Sequence, residues 1–563
     1  MDRRRLLNVR ASGLLLHLTS LPGPHGCGDL GPWAYRFADF LQASGQRWWQ
    51  VLPLGPLGKG SSPYQTLSAF AGNPLLISLE LLAQDGWLDP DDLSPFGELS
   101  AGRVNYPAVE RFKAQRLRRA FARFERRRDR QQARHFDAFC EQQGWWLTDV
   151  ALFCALRHAR HGAPWASWEL PLRQRQPHAL TRESQRLGPE LRYHQFLQFV
   201  FFDQWERLRR YCAKRHIGFI GDVPFYVAQE SADVWSHPEL FWLDRHGQPT
   251  IVAGVPPDYF SRTGQLWGNP LYRWDRLRAQ GYAWWVARLR AAFAQVDVVR
   301  LDHFIGFHRS WALPPDATTA RHGRFMPGPG RAFFDAVRRA LGDVNIIAED
   351  LGTVTPEVVT LRDRYGFPGM RVLQFAFGED PSLAHHQPHA FIRRCVVYTG
   401  THDNDTTVGW FTGEASTTST RSPAAVRKER AFALQYLGRE GRQIHWGLIR
   451  LALMSVADLA VIPVQDLLGL GSEARMNHPG IEDGNWRWRL AEDALTPDLA
   501  QRLRLLTHTY GRIPRDRTPG TWRHAPLAGS RWRRLSRRRA WRRRRMPMVS
   551  RLLSAVGHSR GRR

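Results

Sequence analysis

Cysteine is scarce. The five thiols (Cys27, Cys140, Cys154, Cys212 and Cys395) are scattered, odd in number and free of any CxxC spacing. That pattern argues against a disulfide framework or a thiolate zinc site and fits a reducing compartment. Long apolar runs are also missing: none approaches the roughly 18 residues of a membrane span. Three arginines stand near the start, but the apolar run Gly13-Leu14-Leu15-Leu16 breaks at His17. It is too short for a secretory h-region and lacks a small-residue cleavage site. The expectation is a soluble, cytoplasmic chain with no membrane partner.

Acids are few beside bases, 52 against 80, for a net charge of +28. Such a charge ordinarily points to nucleic acid or an anionic surface. Its distribution weakens that inference. Between Gly511 and Arg563 stand 18 arginines and one acid, Asp516; removing that +17 from +28 leaves +11 for the first 510 residues. Arg537 to Arg545 holds seven arginines in nine positions, where no apolar period can form. Residues 511–563 therefore read as a disordered basic appendage. Trp522, Trp532 and Trp541 among those arginines give it a chemistry for pairing phosphates and stacking bases, a secondary reading beside an extension with no such role.

No glycine-rich phosphate loop or dinucleotide fingerprint precedes a helix, and no metal-ligand cluster shows, so no cofactor and no metal are expected. Aromatics are abundant: 23 Trp and 12% aromatic overall. They serve either as bulky core filler or as flat surfaces for pyranose rings.

Eight short apolar runs end abruptly in polar residues, at 13–18, 48–54, 218–223, 296–301, 345–348, 371–375, 395–398 and 459–463. Their content suits strands buried on both faces, as in a parallel sheet. With helical patterns between them they point to a (β/α)₈ TIM barrel over residues 1–510; periodicity alone leaves an open doubly wound sheet available. Residues of about 105–210 read as a mainly helical insertion. Residues 240–280, rich in Pro, Gly and aromatics, read as an ordered loop walling a cleft.

Three of the strand ends carry acids: Asp302 after Val298–Leu301, Glu349 after Ile346–Ala348, and Asp403 in Thr401-His402-Asp403-Asn404-Asp405. One acid after a strand is an ordinary helix cap. Three at the catalytic end of a barrel fit glycoside chemistry, where a nucleophilic carboxylate works beside a second carboxyl that acts as acid, then base. The two need opposite protonation states at rest. Arg300, two residues before Asp302, shares its face of the strand and favours its ionised form. Glu349, approached by Ile346-Ile347-Ala348, has the apolar setting of a carboxyl kept protonated.

At these residues the chain resembles the amylomaltase, or disproportionating-enzyme, family of 4-α-glucanotransferases (glycoside hydrolase family 77), over about residues 13–510. The motifs that carry the resemblance are Ser62-Pro63-Tyr64-Gln65, Ser68-Ala69-Phe70-Ala71-Gly72-Asn73-Pro74-Leu75 and Gly221-Asp222-Val223-Pro224-Phe225-Tyr226-Val227. They continue with Gly254-Val255-Pro256-Pro257-Asp258-Tyr259-Phe260-Ser261, Leu266-Trp267-Gly268-Asn269-Pro270, Arg300-Leu301-Asp302-His303-Phe304 and Ala348-Glu349-Asp350-Leu351-Gly352. Gly400 to Thr406 and Pro463-Val464-Gln465-Asp466-Leu467-Leu468-Gly469 complete the set. The resemblance implies Asp302 as nucleophile, Glu349 as general acid/base and Asp403 as a third carboxylate holding sugar hydroxyls. It implies Arg300 and His402 beside the −1 sugar, and Asp222, Tyr64, Asp258 and Trp267 along the glucan path. Asn477 and Tyr106 are further candidates for glucan contacts. Substrates would be α-1,4-glucans, maltooligosaccharides and glucose; the alternative is a hydrolytic α-glucosidase or debranching-type enzyme of the wider amylase class. The chain departs from the family at Ile305, where the family usually has Arg, and in the basic tail.

Overall fold

The computed structural model describes residues 6–94, 99–127, 129–413, 421–438 and 441–513. The appendage expected from 511 onward lies outside these residues beyond Ile513. Arg512 is fully buried, its guanidinium donating to the carbonyls of Leu453, Ala11, Ala452 and Ser455.

In chain order the strands are β1 (Ala11–Leu15), β2 (Trp48–Gln50), β3 (Gly218–Val223), β4 (Val252–Val255), β5 (Gln265–Pro270) and β6 (Val298–Leu301). They continue with β7 (Arg309–Leu313), β8 (Arg324–Pro327), β9 (Ile346–Ala348), β10 (Gly369–Val372), β11 (Cys395–Tyr398) and β12 (Leu459–Pro463). Eight of them close a barrel in the order β1-β12-β11-β10-β9-β6-β3-β2, every pair parallel. Each expected run overlaps a barrel strand, that at 371–375 by two residues before a 3-10 turn at Leu373–Phe375, and closure removes the open-sheet alternative. Every residue of these strands is buried, since one face fills the barrel and the other lies under helices.

The remaining four strands correct one expectation. The stretch 240–280 contributes β4 and β5 to an antiparallel sheet of order β5-β4-β7-β8, not a plain loop. β5 is partly exposed over its first four residues and β8 is mostly open to solvent, so these two lack the continuous apolar run by which a buried strand is read; β4 is buried but short.

Between β2 and β3 lie the long helices Tyr106–Arg127, Arg130–Ala159 and Gly188–Lys214, where a helical insertion is expected. Their contacts are aromatic: Phe196 meets Phe121, Phe124 and Trp87 at centroid distances of 5.4, 5.0 and 5.5 Å. Fourteen indoles among the described residues are buried, so core filling is the use of most of the tryptophan there. Gly72 shows why its motif needs a glycine. It exchanges two hydrogen bonds with the Gln198 amide at 2.7 and 3.0 Å, and a Cβ there would stand 1.9 Å from the Phe201 ring.

A buried ion pair fastens the insertion to the barrel. Lys113 is fully buried, and its Nζ donates to Asp29 at 2.7 Å and to the carbonyls of Leu75 and Ile77 at 2.7 and 2.9 Å. His25, Asp29 and Glu80 form the one metal-like grouping among the described residues; the ammonium already bonded to Asp29 opposes a cation there. Burial lifts Asp29 to about 6 despite Lys113. A carboxyl whose folded pKa exceeds its unfolded value binds its proton more readily when folded, so its contribution to stability falls as pH rises through that window. Lys113→Met leaves Asp29 buried and unpaired. It is expected to cost about 3–5 kcal/mol at pH 8, with the deficit narrowing toward pH 5 as Asp29 protonates. Urea unfolding at the two pH values measures both.

Candidate active site

Hydrogen bonds between strands continue past the C-terminal rim of the barrel, and they place the acids. Asp302 N donates to Val223 O at 3.1 Å, Glu349 N to Leu301 O at 3.1 Å, and Phe304 N to Glu349 O at 3.0 Å. His303, between them, takes a left-handed φ of 47°, which is uncommon outside glycine. From there its N–H donates to Glu349 Oε2 at 2.6 Å, while Leu351 N donates to Oε1 at 3.1 Å.

Arg300 stands opposite Asp222 in the β3–β6 register. Its Nη1 reaches Asp222 at 2.7 and 2.8 Å and Asp302 Oδ1 at 2.9 Å. Burial works against this guanidinium's charge, but Asp222 and Asp302 outweigh it and its pKa rises. The Asp222 side chain is fully buried. It faces Arg300 and the Tyr64 hydroxyl, which donates to it at 2.7 Å, so it underlies the site instead of lining the cleft. The Asp302 side chain is 26% exposed. Glu349 is 9% exposed, and burial pushes its carboxyl well above the usual carboxylate range, with Arg300 opposing and Asp302 reinforcing that rise.

The third acid belongs to the same cluster. The Tyr64 phenol feels the charges of Asp222, Arg300, Asp302 and Asp403 together, and its ring stacks on His402 at 5.0 Å. Asn477 Nδ2 donates to Asp403 Oδ1 at 2.6 Å, leaving Oδ2 3.4 Å from His402 Nε2. Arg475 donates to the Asp403 carbonyl at 2.7 Å.

Trp267 and Asp258 occupy the rim. The Trp267 indole meets His303 edge-on at 4.9 Å, and its carbonyl accepts from Gln65 Nε2 at 3.4 Å. Asp258 accepts from the amides of Phe260 and Ser261 at 2.9 and 2.8 Å and from Gln265 Nε2 at 2.8 Å; its oxygens shape the turn that presents Tyr259 and Phe260. Tyr106 stands apart: it is 2% exposed, and its hydroxyl donates to the Trp486 carbonyl at 2.7 Å.

Sequence reasoning missed Trp486, His17 and Arg475. Trp486 lies 5.7 Å from Tyr64 and 5.9 Å from His402, ring to ring, on a residue of positive φ. The neighbouring Asn477 was the available signal. His17 lines a pocket together with His402; burial lowers its pKa to about 3, so the ring is neutral. Arg475 lines the same pocket.

Removing the shared cation has a calculable effect. Arg300→Met strands two carboxylates and is expected to destabilise the fold by about 3–5 kcal/mol. Adding Asp222→Asn should recover part of that loss. Equal urea midpoints for the single and double variants would show that the pair is not coupled.

The family model described as 4-alpha-glucanotransferase matches residues 16–496. A 4-alpha-glucanotransferase from Thermus thermophilus is 48% identical over 514 residues, covering 90% of this chain and 99% of the relative. One from Synechocystis is 49% identical over 515 residues, with 90% and 99% covered. A solved amylomaltase from Streptococcus agalactiae, in complex with acarbose, superposes with a TM-score of 0.84 at 36% identity, covering 89% of this chain and 99% of that one. With the family model spanning most of its length and these relatives nearly half identical to it, the chain belongs to the 4-alpha-glucanotransferase family.

Proposed function

We propose that the chain cleaves α-1,4-glucan and passes the released segment to the 4-hydroxyl of an acceptor glucose or maltodextrin, through a covalent ester on Asp302. The observation that carries this reading is the contrast between two neighbouring carboxyls. Asp302 is open and bonded to a guanidinium; Glu349 is enclosed and raised in pKa by burial. That is the division of labour a retaining mechanism needs.

In the first half Glu349 gives its proton to the glycosidic oxygen while Asp302 attacks the anomeric carbon. The leaving chain departs as an alcohol, and the retained glucosyl unit is esterified to Asp302. In the second half Glu349 takes the proton of the acceptor 4-hydroxyl, whose oxygen displaces Asp302 and restores the α-linkage. Asp403, with Oδ1 held by Asn477, offers its other oxygen to sugar hydroxyls beside His402. Arg300 compensates the charge that returns to Asp302 when the ester breaks. Tyr64 and Trp267 supply ring faces along the glucan, and Tyr106 supports the backbone of Trp486. No helix among the described residues is long and apolar enough to cross a membrane, and the five cysteines are free; both fit the cytoplasm as its setting.

Transfer outruns hydrolysis where water is kept from the ester. Tyr259 and Phe260 pack on Phe375 at 4.9 and 6.0 Å and make an apolar cover beside the acids. Maltotriose separates the outcomes: a ladder of longer maltodextrins plus glucose is expected, whereas glucose and maltose alone would mean a hydrolase. Asp302→Asn should lower turnover by at least about a thousandfold. Glu349→Ala should lose maltotriose activity but still release fluoride from α-glucosyl fluoride, whose leaving group needs no proton. A β-configured product seen by NMR would overturn the two-step scheme.

A further inference from the structure

The motif Pro463 to Gly469 follows β12, and the reaction scheme leaves it without a task. Its acid, Asp466, is 2% exposed, and both its oxygens are spent on one loop. Oδ1 accepts the Thr407 amide N–H at 2.6 Å, and Oδ2 accepts the Thr399 hydroxyl at 2.5 Å. Thr399 is the first residue beyond β11; Thr407 opens the helix Thr407–Thr412. The seven residues between them carry His402 and Asp403. One buried side chain therefore fastens both ends of the loop that presents the third carboxylate.

Other bonds hold the middle of that loop, among them Gln374 Nε2 donating to the Asp405 carbonyl at 2.8 Å. Ser472 Oγ donates to Asp405 Oδ2 at 2.8 Å, Arg475 to the Asp403 carbonyl, and Asn477 N to the His402 carbonyl at 3.1 Å. These last three contacts come from residues 472–477, just after Asp466 in the chain, so the loop and its backing segment are aligned through Asp466 first. A displacement of about 1 Å at a reacting group can cost a hundredfold in rate, so fixing the loop ends bears directly on turnover.

We propose that Asp466 is a positioning residue for glucan transfer: it joins residues 399 and 407 and so sets where His402 and Asp403 stand against the sugar ring, without touching the sugar. The proposal rests on the reading of Asp403 as the third carboxylate. It also specifies what position 466 must offer, namely an acceptor toward Thr407 N and a polar partner for Thr399 Oγ1. Asparagine supplies both, its carbonyl accepting from Thr407 and its amide donating to Thr399. Alanine supplies neither and strands a buried N–H and a buried hydroxyl.

The test is maltotriose disproportionation, with kcat, KM and melting temperature measured for Asp466→Ala, Asp466→Asn, Thr399→Val and Asp403→Ala. Asp466→Ala should lower kcat about 10- to 100-fold with KM within about threefold, because the contacts made along the rest of the glucan, by Tyr64 and Trp267, are untouched. Asp466→Asn should stay within about threefold of the parent in both constants. Thr399→Val, which deletes one tie and preserves shape, should lose about 3- to 10-fold in kcat and carries the test if Asp466→Ala fails to fold. Three results would overturn the proposal: unchanged kcat in Asp466→Ala or Thr399→Val beside an inactive Asp403→Ala; a rise in KM at constant kcat; or Asp466→Asn as impaired as the alanine variant at a normal melting temperature. Full turnover in Asp403→Ala would instead overturn the role given to Asp403 itself.

Discussion

A buried guanidinium shared by two carboxylates is the constraint on which the site depends. Taking Arg300 and Asp222 out of water costs several kcal/mol per ion, and the attraction between them offsets this only if the geometry is good. The geometry comes from parallel pairing, because residues 222 and 300 are register partners on adjacent strands and present their side chains to the same interior. Asp302 then takes the guanidinium's remaining reach, two residues on and at the rim. The cation thus measures the height of the nucleophile above the barrel core. Tyr64 closes the arrangement from above by spending its hydroxyl on Asp222, which turns its ring face toward His402.

Much of this was legible in the chain. The eight barrel strands stood out because burial on both faces demands uninterrupted apolar residues, although the runs at 13–18, 48–54 and 371–375 extend three or four residues past the strand ends. Asp302 and Glu349 could be placed because each follows such a run directly. The sheet formed by β4, β5, β7 and β8 was hidden, since β5 and β8 are largely exposed and Pro256, Gly264 and Gly268, beside or within β4 and β5, carry turn chemistry as strongly as strand chemistry. For Asp222 sequence could give the strand end, not the full burial of its side chain against Arg300 and Tyr64.

Tertiary contacts account for the residues that were missed. Trp486 and Arg475 reach the site from a segment without regular periodicity, and only the fold brings them to Tyr64 and Asp403. Tyr106 begins a helix whose apolar face is plain, yet its partner lies 380 residues away. No local pattern encodes a pairing of that separation. The same holds for Lys113, which with Arg116 is one of two buried cations in a helix whose other charges are partly or fully exposed. Its burial follows from the three acceptors offered by Asp29, Leu75 and Ile77.

The left-handed turn at His303 has a consequence for how the two reacting carboxyls keep their separation. One peptide unit joins them: its carbonyl side belongs to Asp302, and its N–H grips Glu349. The Asp302 carboxyl is set separately, by Arg300 on the same strand, so the anchors of both acids belong to the end of β6.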